Sequence, residues 1–428
     1  MQVSQVTSTF AARWPSFLFC ALALGWLAPA MAATNTSYRP GPVDYHALPQ
    51  LTLPPLQKLP WNGLARTPPM GWNSWNRFAT EIDDSTVRQV ADAMVSSGMR
   101  DAGYRYIIID DGWQGKRDAQ GVLQPNPKFP DMKALADYVH ARGLELGIYS
   151  SPGPRSCAGF EGSYGHEAID ARTWAQWGVD YLKYDWCSAL HVWPRTQLRP
   201  VYQRMGAALR ETGRPIVFSL CEYGWADVQT WGALVGGNLW RTTGDIEDNW
   251  GSMLHNILEQ EAFAAHAGQG HWNDPDMLEV GNGGMTPDEY RTHFSLWAIA
   301  AAPLIAGNDL RHMTAVTRAI LLNEDVIAVD QDSLGEQGKL VSHQGLLDVW
   351  VRPLSGDAYA VAIVNSAGTA AEYEPVWSAL GLSGTFRARD LWSHTDIGVL
   401  PPGYTAHVPS HGVVMLKLTR ASASRRDH

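Results

Sequence analysis

Two patterns of apolar and polar residues alternate through the middle of the chain. Short runs rich in branched and aromatic residues, such as YRYIIID at 104–110, predict buried strands. Each run is followed by a longer segment with apolar residues at helical spacing, as in 81–98 and 131–143. Eight such strand-helix units follow one another within about 260 residues. This strict alternation favours an α/β fold, a closed (β/α)8 TIM barrel, over an open doubly wound sheet.

The predicted strands share an apolar run that ends in polar or aromatic residues. They are the segments 70–75, 104–110, 144–150, 180–186, 215–222, 238–245, 268–277 and 302–307. A shorter helical stretch is expected near 227–235, after the fifth strand. The helix after the seventh strand opens on TPDE, from Thr286 to Glu289, which is a capping-box sequence with Pro at the first helical position.

The pattern changes after about residue 330. Alternating or β-branched segments, spaced by Gly, Ser and Pro, replace the helical runs; they are LLDVWVRPL, AYAVAIVNS, TFRARDLW and HGVVMLKL. These features predict a small antiparallel β-sandwich. We therefore expect a barrel at 61–330, a β-sandwich domain at 331–419 and a disordered tail at 420–428.

The first 32 residues have the features of a secretory signal peptide. Arg13 precedes the apolar run FLFCALALGWLAPA, and the sequence from Ala30 to Ala32 is a small-x-small cleavage site. We expect export, cleavage after Ala32 and a secreted or periplasmic protein without membrane insertion, because no later run is long and apolar enough to span a membrane. Residues 33–60 are Pro-rich without apolar periodicity, which predicts a linker or a strap on the domain surface.

Composition and charge argue against several classes of function. The net charge is -10 and no basic cluster occurs outside the C-terminal RASASRRDH, so nucleic acid is not an expected partner. His271 is the one His near the predicted strand ends, so no pair of His residues at metal-ligand spacing lies with them, and the sequence predicts no metal and no cofactor. The 19 Trp and 15 Tyr residues offer faces for stacking on sugar rings, although most are expected in the core.

The chemistry of a (β/α)8 barrel lies at the carboxyl ends of its strands. Here those ends hold acids, aromatic residues, one Lys and one Arg: Trp72, Trp75, Asp110, Asp111, Tyr149, Lys183, Asp185, Glu222, Arg241, Asp245, Trp272, Asp274 and Asp276. Lys183 and Asp185, in the strand YLKYDWC, taken alone form either a structural ion pair or part of a site. Because acids recur at matching positions, we interpret the set as a pocket for glycoside hydrolysis, which needs one carboxylate to attack or activate water and another to protonate the leaving oxygen.

Seven segments of the chain also resemble the signatures of one family, in that family's order: MGWNSW, IIIDDGW, LGIYSSPGPRSCAG, YLKYDWC, SLCEYGW, WRTTGDIEDNW and WNDPDML. The family is that of the α-galactosidases of glycoside hydrolase family 27. The resemblance is close over about residues 64–335 and looser through the C-terminal β-domain. It implies a retaining exo-glycosidase that hydrolyses terminal α-D-galactosyl residues of oligosaccharides, polysaccharides or glycoconjugates by double displacement.

The resemblance implies a role for each acid at the centre of the pocket. Asp185 would be the nucleophile and Asp245 the acid/base. Asp110 and Asp111 would bind the axial 4-hydroxyl and the 6-hydroxyl of galactose. Lys183 would serve the 3- and 4-hydroxyls and would also hold Asp185 ionised, since a nearby opposite charge favours the carboxylate.

The resemblance extends to the residues around these acids. Glu222 and Arg241 would meet the 2-hydroxyl region, and Trp75 would pack against the sugar. Tyr149 would sit beside the nucleophile, and Asp276 would lie near the pocket.

The resemblance also concerns the cysteines and one motif that departs from the family's pattern. Cys157 and Cys187 match a family disulfide beside the nucleophile, with Cys157 among the substrate-site residues; a bridge closing this loop would be worth roughly 3 to 4 kcal/mol. Cys221 lacks the partner that the family's animal members have, and we expect a buried thiol. The motif reads CEYGW where many members have CEWG, which leaves open whether Tyr223 or Trp225 lines the pocket wall.

Three classes of function stay in consideration at this point. The first is a retaining α-galactosidase acting on small oligosaccharides or galactose-branched polysaccharides. The second is a relative of the same fold, a β-L-arabinopyranosidase or an α-N-acetylgalactosaminidase; Asp111 argues against the arabinoside because its carboxylate would lose the 6-hydroxyl. The third is a non-catalytic sugar-binding protein, which should lack one of the two central acids, whereas Asp185 and Asp245 are both present.

Overall fold

The computed structural model describes Tyr38 and residues 40–421, and its strands and helices are numbered here along the chain. The first ten strands are β1 (Met70–Asn73), β2 (Tyr106–Ile109), β3 (Gln114–Arg117), β4 (Leu123–Pro125), β5 (Glu145–Ser150), β6 (Tyr181–Asp185), β7 (Val217–Cys221), β8 (Leu239–Arg241), β9 (Trp272–Asp274) and β10 (Leu304–Ala306). Strands β3 and β4 form a hairpin, and the other eight form one parallel sheet in the order β10-β1-β2-β5-β6-β7-β8-β9. The predicted fold class is confirmed.

The curled sheet closes between β9 and β10 through a single bridge. Leu278, just beyond β9, pairs in parallel with Ala306 of β10. Its N–H donates to the carbonyl oxygen of Ile305 at 2.8 Å, and the N–H of Gly307 donates to the carbonyl oxygen of Leu278 at 2.9 Å. Strands such as β7 are buried along their whole length, which explains why the sequence shows continuous apolar runs and little alternation.

Helices follow the strands on the outside of the sheet. They are α1 (Trp75–Phe78), α2 (Asp84–Ser96), α3 (Met132–His140), α4 (Glu167–Trp177), α5 (Leu198–Glu211), α6 (Trp250–Glu261), α7 (Pro287–Ile299), α8 (Ala315–Leu321) and α9 (Glu324–Asp330). Thr286 and Glu289 form the expected capping box of α7. The stretch near 227–235 consists of short 3-10 turns because Ala226 and Asp227 have left-handed backbones that an α-helix does not accept.

The C-terminal domain is an antiparallel β-structure of eight strands: β11 (Lys339–Gln344), β12 (Leu347–Leu354), β13 (Ala358–Asn365), β14 (Ala371–Tyr373), β15 (Phe386–Asp390), β16 (Thr395–Val399), β17 (Ala406–Val408) and β18 (Val413–Arg420). Six of them form a sheet in the order β11-β12-β13-β18-β15-β16, and β14 pairs with β17. Alternate residues of β12 face opposite sides: Trp350 joins the core shared with α7, whereas Val349 and Val351 join the core that includes Tyr373 of β14.

The segments before the barrel and after the C-terminal domain can be compared with their expected structures. Residues 40–60 contain no helix or strand and lie on the barrel as the expected strap: Gln203 of α5 accepts the N–H of Gln57 at 2.9 Å and donates to the carbonyl oxygen of Pro55 at 2.7 Å. Residue 420, expected to begin the tail, instead ends β18. The expected signal peptide and residues 422–428 lie outside the described residues. In the described part of the chain, no helix combines the length and apolarity needed to cross a membrane.

Candidate active site

A cavity of about 510 Å³ opens at the carboxyl ends of the parallel strands. Its size is within the range of sites that hold small ligands. Ten of the predicted site residues line it: Trp75, Asp110, Asp111, Tyr149, Cys157, Lys183, Asp185, Arg241, Asp245 and Asp276. The strand-end rule therefore brings together residues that lie up to 201 positions apart in the sequence.

Asp185 ends β6 and is only 5% exposed. Its two oxygens have different donors: the hydroxyl of Tyr223 donates to Oδ1 at 2.7 Å, and the hydroxyl of Tyr149 donates to Oδ2 at 3.2 Å. Burial raises the pKa of the carboxyl to about 6, against the lowering effect of the Lys183 charge and of the Tyr223 hydrogen bond. Each oxygen of the carboxylate is thus held by a hydrogen bond, and the pKa of the carboxyl lies about one unit below neutral pH.

Asp110 is the acid that pairs directly with Lys183. The ammonium Nζ donates to Asp110 Oδ2 at 2.8 Å, and Asn73 Nδ2 donates to the same oxygen at 2.7 Å. Burial tends to lower the pKa of Lys183, but the charges of Asp110 and of neighbouring acids, among them Asp185, raise it well above its usual value. Lys183 therefore stays charged and acts on Asp185 through space.

Asp111 lies next to a disulfide. The N–H of Ala158 donates to Asp111 Oδ2 at 2.7 Å, and the buried Oδ1 has no hydrogen-bond partner among the described residues. Burial raises the pKa of this carboxyl to about 7. Cys157, the residue before Ala158, is bonded to Cys187 with a Cα–Cα distance of 4.8 Å, so the expected disulfide is confirmed. Cys221 is a buried free thiol, and burial raises its pKa.

Arg241 links two acids on the other side of the cavity. One guanidinium nitrogen donates to Asp245 Oδ1 at 3.0 Å, and another forms an ion pair with Asp276 Oδ1 at 3.0 Å. Asp276 Oδ2 in turn accepts the N–H of Ile246 at 2.8 Å, which ties down the loop after Asp245. The Arg241 side chain is 3% exposed, whereas that of Asp245 is 73% exposed. Asp245 thus stands at the mouth of the cavity above a buried cation.

Tyr223, and not Trp225, lines the cavity. The chain turns sharply here: Tyr223 has φ +59°, and Gly224 has φ +76° with no room for a Cβ, which would lie 2.5 Å from the carbonyl oxygen of Thr242. This turn sends Trp225 away from the cavity, where the Arg195 guanidinium stacks on its ring at 3.6 Å. Of the two aromatic residues that the sequence left open as candidates for the substrate site, Trp225 is therefore the wrong one.

Glu222 does not line the cavity either. Its side chain is fully buried, and both carboxylate oxygens lack a hydrogen-bond partner among the described residues. Burial raises its pKa well above the usual value, against the opposing charge of Arg241. This position does not support the expected direct contact of Glu222 with the 2-hydroxyl region, because the carboxyl is fully buried and is not among the residues that line the cavity.

Three other strand-end residues also lie outside the cavity lining. The indole nitrogen of Trp72 donates to the carbonyl oxygen of Asn308 at 2.7 Å, and that of Trp272 donates to the carbonyl oxygen of Ala65 at 2.7 Å. Asp274 accepts the N–H of Asp276 at 2.9 Å and so supports the turn of that residue. These three side chains therefore bond to backbone groups and do not line the cavity.

The cavity also contains a carboxyl that the sequence argument missed. Glu279 lines it together with Asn76 and Asn282, whose side-chain amides donate to its two oxygens. Burial raises its pKa to about 7, against the lowering effect of these hydrogen bonds. The only sequence signal is its position three residues after Asp276, because Asn76 is 203 residues away.

Potential metal ligands also meet in this region. Atoms of Cys157, Asp185 and Cys187 lie within 4.8 Å of one another. The two sulfurs form the disulfide, so they are not the thiolates that a metal would require. This donor set does not suit a metal ion.

Comparisons with known proteins agree with this geometry. A family model described as alpha galactosidase A matches residues 67–332, and one described as alpha galactosidase C-terminal beta sandwich domain matches residues 344–418. The curated α-galactosidase of Cyamopsis tetragonoloba is 50% identical over 367 residues, which cover 84% of this chain and 88% of that protein.

Solved structures with the same fold are also found. The crystal structure of α-galactosidase I from Mortierella vinacea is 38% identical with a TM-score of 0.81, covering 85% of this chain and 99% of that one. The α-galactosidase of Saccharomyces cerevisiae with raffinose is 28% identical with a TM-score of 0.80, covering 85% and 100%. A more distant neighbour, a β-L-arabinopyranosidase from Geobacillus stearothermophilus, is 25% identical with a TM-score of 0.74, covering 84% and 98%.

Proposed function

The chain belongs to the α-galactosidases of glycoside hydrolase family 27, and we propose that it hydrolyses terminal α-D-galactosides by double displacement, with Asp185 as nucleophile and Asp245 as acid/base. The observation that carries this mechanism is the contrast between the two acids. Asp185 is buried and oriented by two phenolic hydroxyls, whereas the side chain of Asp245 is 73% exposed at the mouth. The inner acid suits attack on the sugar, and the outer acid suits protonation of a leaving group that points to solvent.

In the first step, a carboxylate oxygen of Asp185 attacks the anomeric carbon, and the bond from that carbon to the leaving oxygen breaks. The proton on the Asp245 carboxyl moves to the leaving oxygen, so the alcohol departs neutral. Arg241 donates to Oδ1 of Asp245, which leaves Oδ2 to hold this proton. A covalent galactosyl ester of Asp185 results.

In the second step, water attacks the anomeric carbon of this ester. The Asp245 carboxylate accepts a proton from the water, and the bond between the anomeric carbon and Asp185 breaks. Both acids return to their starting states. Two inversions at the same carbon give net retention, so the product is α-galactose.

Recognition of galactose is proposed to lie with the acids at the end of β2. Asp110, neutralised by Lys183, presents a charged hydrogen-bonding pair to hydroxyls, and Asp111 presents a buried oxygen without a protein donor. A 6-hydroxyl would satisfy that oxygen, whereas a β-L-arabinopyranoside lacks the group and would leave the carboxyl without its partner. This favours α-galactosides over the alternative substrate.

The natural substrate is proposed to be a raffinose-type oligosaccharide or a galactose branch of a polysaccharide. The relative from Saccharomyces cerevisiae is described with raffinose, which supports the first of these. Export is part of the proposal: the first 32 residues resemble a signal peptide, and a secreted or periplasmic enzyme would meet such substrates outside the cytoplasm.

Proton NMR of the first product formed from nitrophenyl α-galactoside tests the mechanism. We expect α-galactose to appear first and the β-anomer to grow only by mutarotation; β-galactose appearing first would contradict double displacement. Rates on nitrophenyl β-L-arabinopyranoside and α-N-acetylgalactosaminide, measured in parallel, test the substrate assignment. A rate on either that equals the α-galactoside rate would replace that assignment.

A further inference from the structure

We propose that Tyr223 is a positioning residue for the nucleophile, holding Asp185 through a hydrogen bond that favours its ionised form. The inference deepens the proposed function and rests on Asp185 being the nucleophile. It concerns a residue whose place on the wall the sequence left open.

The geometry shows two phenols sharing one carboxylate. Tyr223 donates to Oδ1 at 2.7 Å, and Tyr149 donates to Oδ2 at the longer distance of 3.2 Å. The two donors come from different elements, Tyr149 from β5 and Tyr223 from the turn after β7. Hydrogen bonds from two directions restrict rotation of the Asp185 carboxylate, so the carboxylate keeps one orientation at the cavity.

The backbone of Tyr223 is adapted to this contact. Its φ of +59° is in the left-handed region, which a bulky residue rarely adopts. The next residue, Gly224, donates its N–H to the carbonyl oxygen of Arg241 at 3.0 Å and so fixes the turn to β8. The Arg241 guanidinium carbon lies 5.7 Å from the centre of the Tyr223 ring, a distance that allows a cation–π contact. A strained backbone that aims a hydroxyl at the reacting acid is a feature of functional sites.

The hydrogen bond has a direct effect on protonation. A donor to the charged form of a carboxyl lowers its pKa, and Tyr223 is among the groups that oppose the effect of burial on Asp185. Burial and the charges around it raise the pKa of the Tyr223 hydroxyl, so the phenol stays protonated and remains a donor.

Other groups around Asp185 also affect its charge and are unchanged in the variants below. Lys183 on the same strand lowers its pKa. The titratable or charged groups on the neighbouring elements are Asp110, Asp111, Tyr149, Tyr202, Cys221, Glu222, Arg241, Asp245 and Asp276. A change at Tyr223 alone therefore isolates the contribution of one hydroxyl.

The test compares wild type, Tyr223→Phe and the control Tyr164→Phe. The Tyr164 hydroxyl donates to the carbonyl oxygen of Pro49 at 2.9 Å, away from the cavity, so the control loses one phenolic hydrogen bond without touching the nucleophile. We expect Tyr223→Phe to raise the pKa of the acid limb of kcat/KM by about half a pH unit or more, and to lower kcat about tenfold with little change in KM. The control should match wild type.

A covalent label separates this inference from the proposed function. A galactose-configured cyclitol epoxide esterifies the nucleophile by ring opening, with the epoxide oxygen taking a proton, and peptide mass mapping locates the ester. Attachment to any residue other than Asp185 would overturn the proposed function and the inference with it. Attachment to Asp185 at rates that have the same pH dependence in wild type and Tyr223→Phe would overturn the inference alone. If turnover of the variant is too slow to measure, the pH dependence of the labelling rate replaces that of kcat/KM as the readout.

Discussion

Asp111 accepts the N–H of Ala158 at 2.7 Å, directly beside the disulfide that joins Cys157 to Cys187. The disulfide closes a loop across 30 positions and so fixes the donor that orients Asp111, the acid proposed to bind the 6-hydroxyl of galactose. The disulfide and the position of the Asp111 carboxyl are therefore coupled through one backbone N–H.

The first prediction follows from this coupling. In the double variant Cys157→Ser, Cys187→Ser, we expect KM for nitrophenyl α-galactoside to rise about tenfold, with a smaller change in kcat, because Asp111 loses its fixed donor. The midpoint of unfolding should also fall, since the bridge is worth roughly 3 to 4 kcal/mol in the chain-entropy model. Steady-state kinetics and thermal unfolding measure both effects.

Thiol counting is the control for this prediction. In protein cleaved after Ala32 and kept unreduced, a blocking reagent should modify only Cys221, and only after unfolding, because that thiol is buried. Three blockable thiols would mean that the bridge does not form in solution, and a KM unchanged in the double variant would mean that Asp111 does not depend on it.

The second prediction concerns the 6-hydroxyl. Asp111→Ala should lower kcat/KM on nitrophenyl α-galactoside by about a hundredfold or more, because a buried charged hydrogen bond to the substrate is lost. The same change should cost much less on nitrophenyl β-L-arabinopyranoside, which lacks the hydroxymethyl group. Equal losses on both glycosides would show that Asp111 does not read that group.

Much of the fold follows from the sequence because burial leaves a clear pattern. Strand β7 is buried throughout and appears as an apolar run interrupted only by Ser219, and the capping box at Thr286 marks the start of α7. The strand-end rule then places Lys183 and Asp185 in the cavity from one strand alone.

Other elements leave no such pattern. Strands β11 and β16 lie at the two edges of the C-terminal sheet and are largely exposed, so neither shows an apolar face in the sequence. The hairpin of β3 and β4 is held partly by Arg117, which pairs with the buried Asp170 of α4 at 2.6 Å. Such a contact across 53 positions has no local signal.

For a related reason, the sequence could not predict whether Tyr223 or Trp225 lines the cavity. It depends on the approach of Gly224 to the carbonyl oxygen of Thr242, a contact between two strand ends that no local pattern encodes. Glu279 was missed because its partner Asn76 comes from the other end of the barrel sequence. Side-chain direction at strand ends is set by tertiary contacts, whereas the existence of a strand is set locally.

The third prediction concerns pH. Attack needs the Asp185 carboxylate, and because burial raises its pKa to about 6, kcat/KM should fall as the pH drops below about 6. Lys183→Met removes the charge that lowers this pKa, so the acid limb should move to higher pH. The variant should also be less stable, because Asp110 is left buried without its cation.

The exposed Lys133, paired with Asp137 on α3, supplies the matched control. Lys133→Met should keep the pH profile of wild type, because an exposed pair contributes little and lies away from the cavity. If Lys183→Met retained the acid limb of the wild type, the charge of Lys183 would not govern the ionisation of Asp185.

The last prediction separates the roles of the two central acids. Asp185→Ala should abolish turnover of every α-galactoside, because no covalent ester forms without the nucleophile. Asp245→Ala should spare substrates with a good leaving group, which needs little protonation, and lose activity on natural oligosaccharides. Added azide should partly restore the Asp245→Ala rate on nitrophenyl α-galactoside, because the anion attacks the ester without a general base. Attack on a β-linked ester inverts the anomeric carbon, so the product should be α-galactosyl azide and not β-galactosyl azide. Equal losses of Asp245→Ala on nitrophenyl and natural galactosides, with no response to azide, would show that Asp245 is not the acid/base.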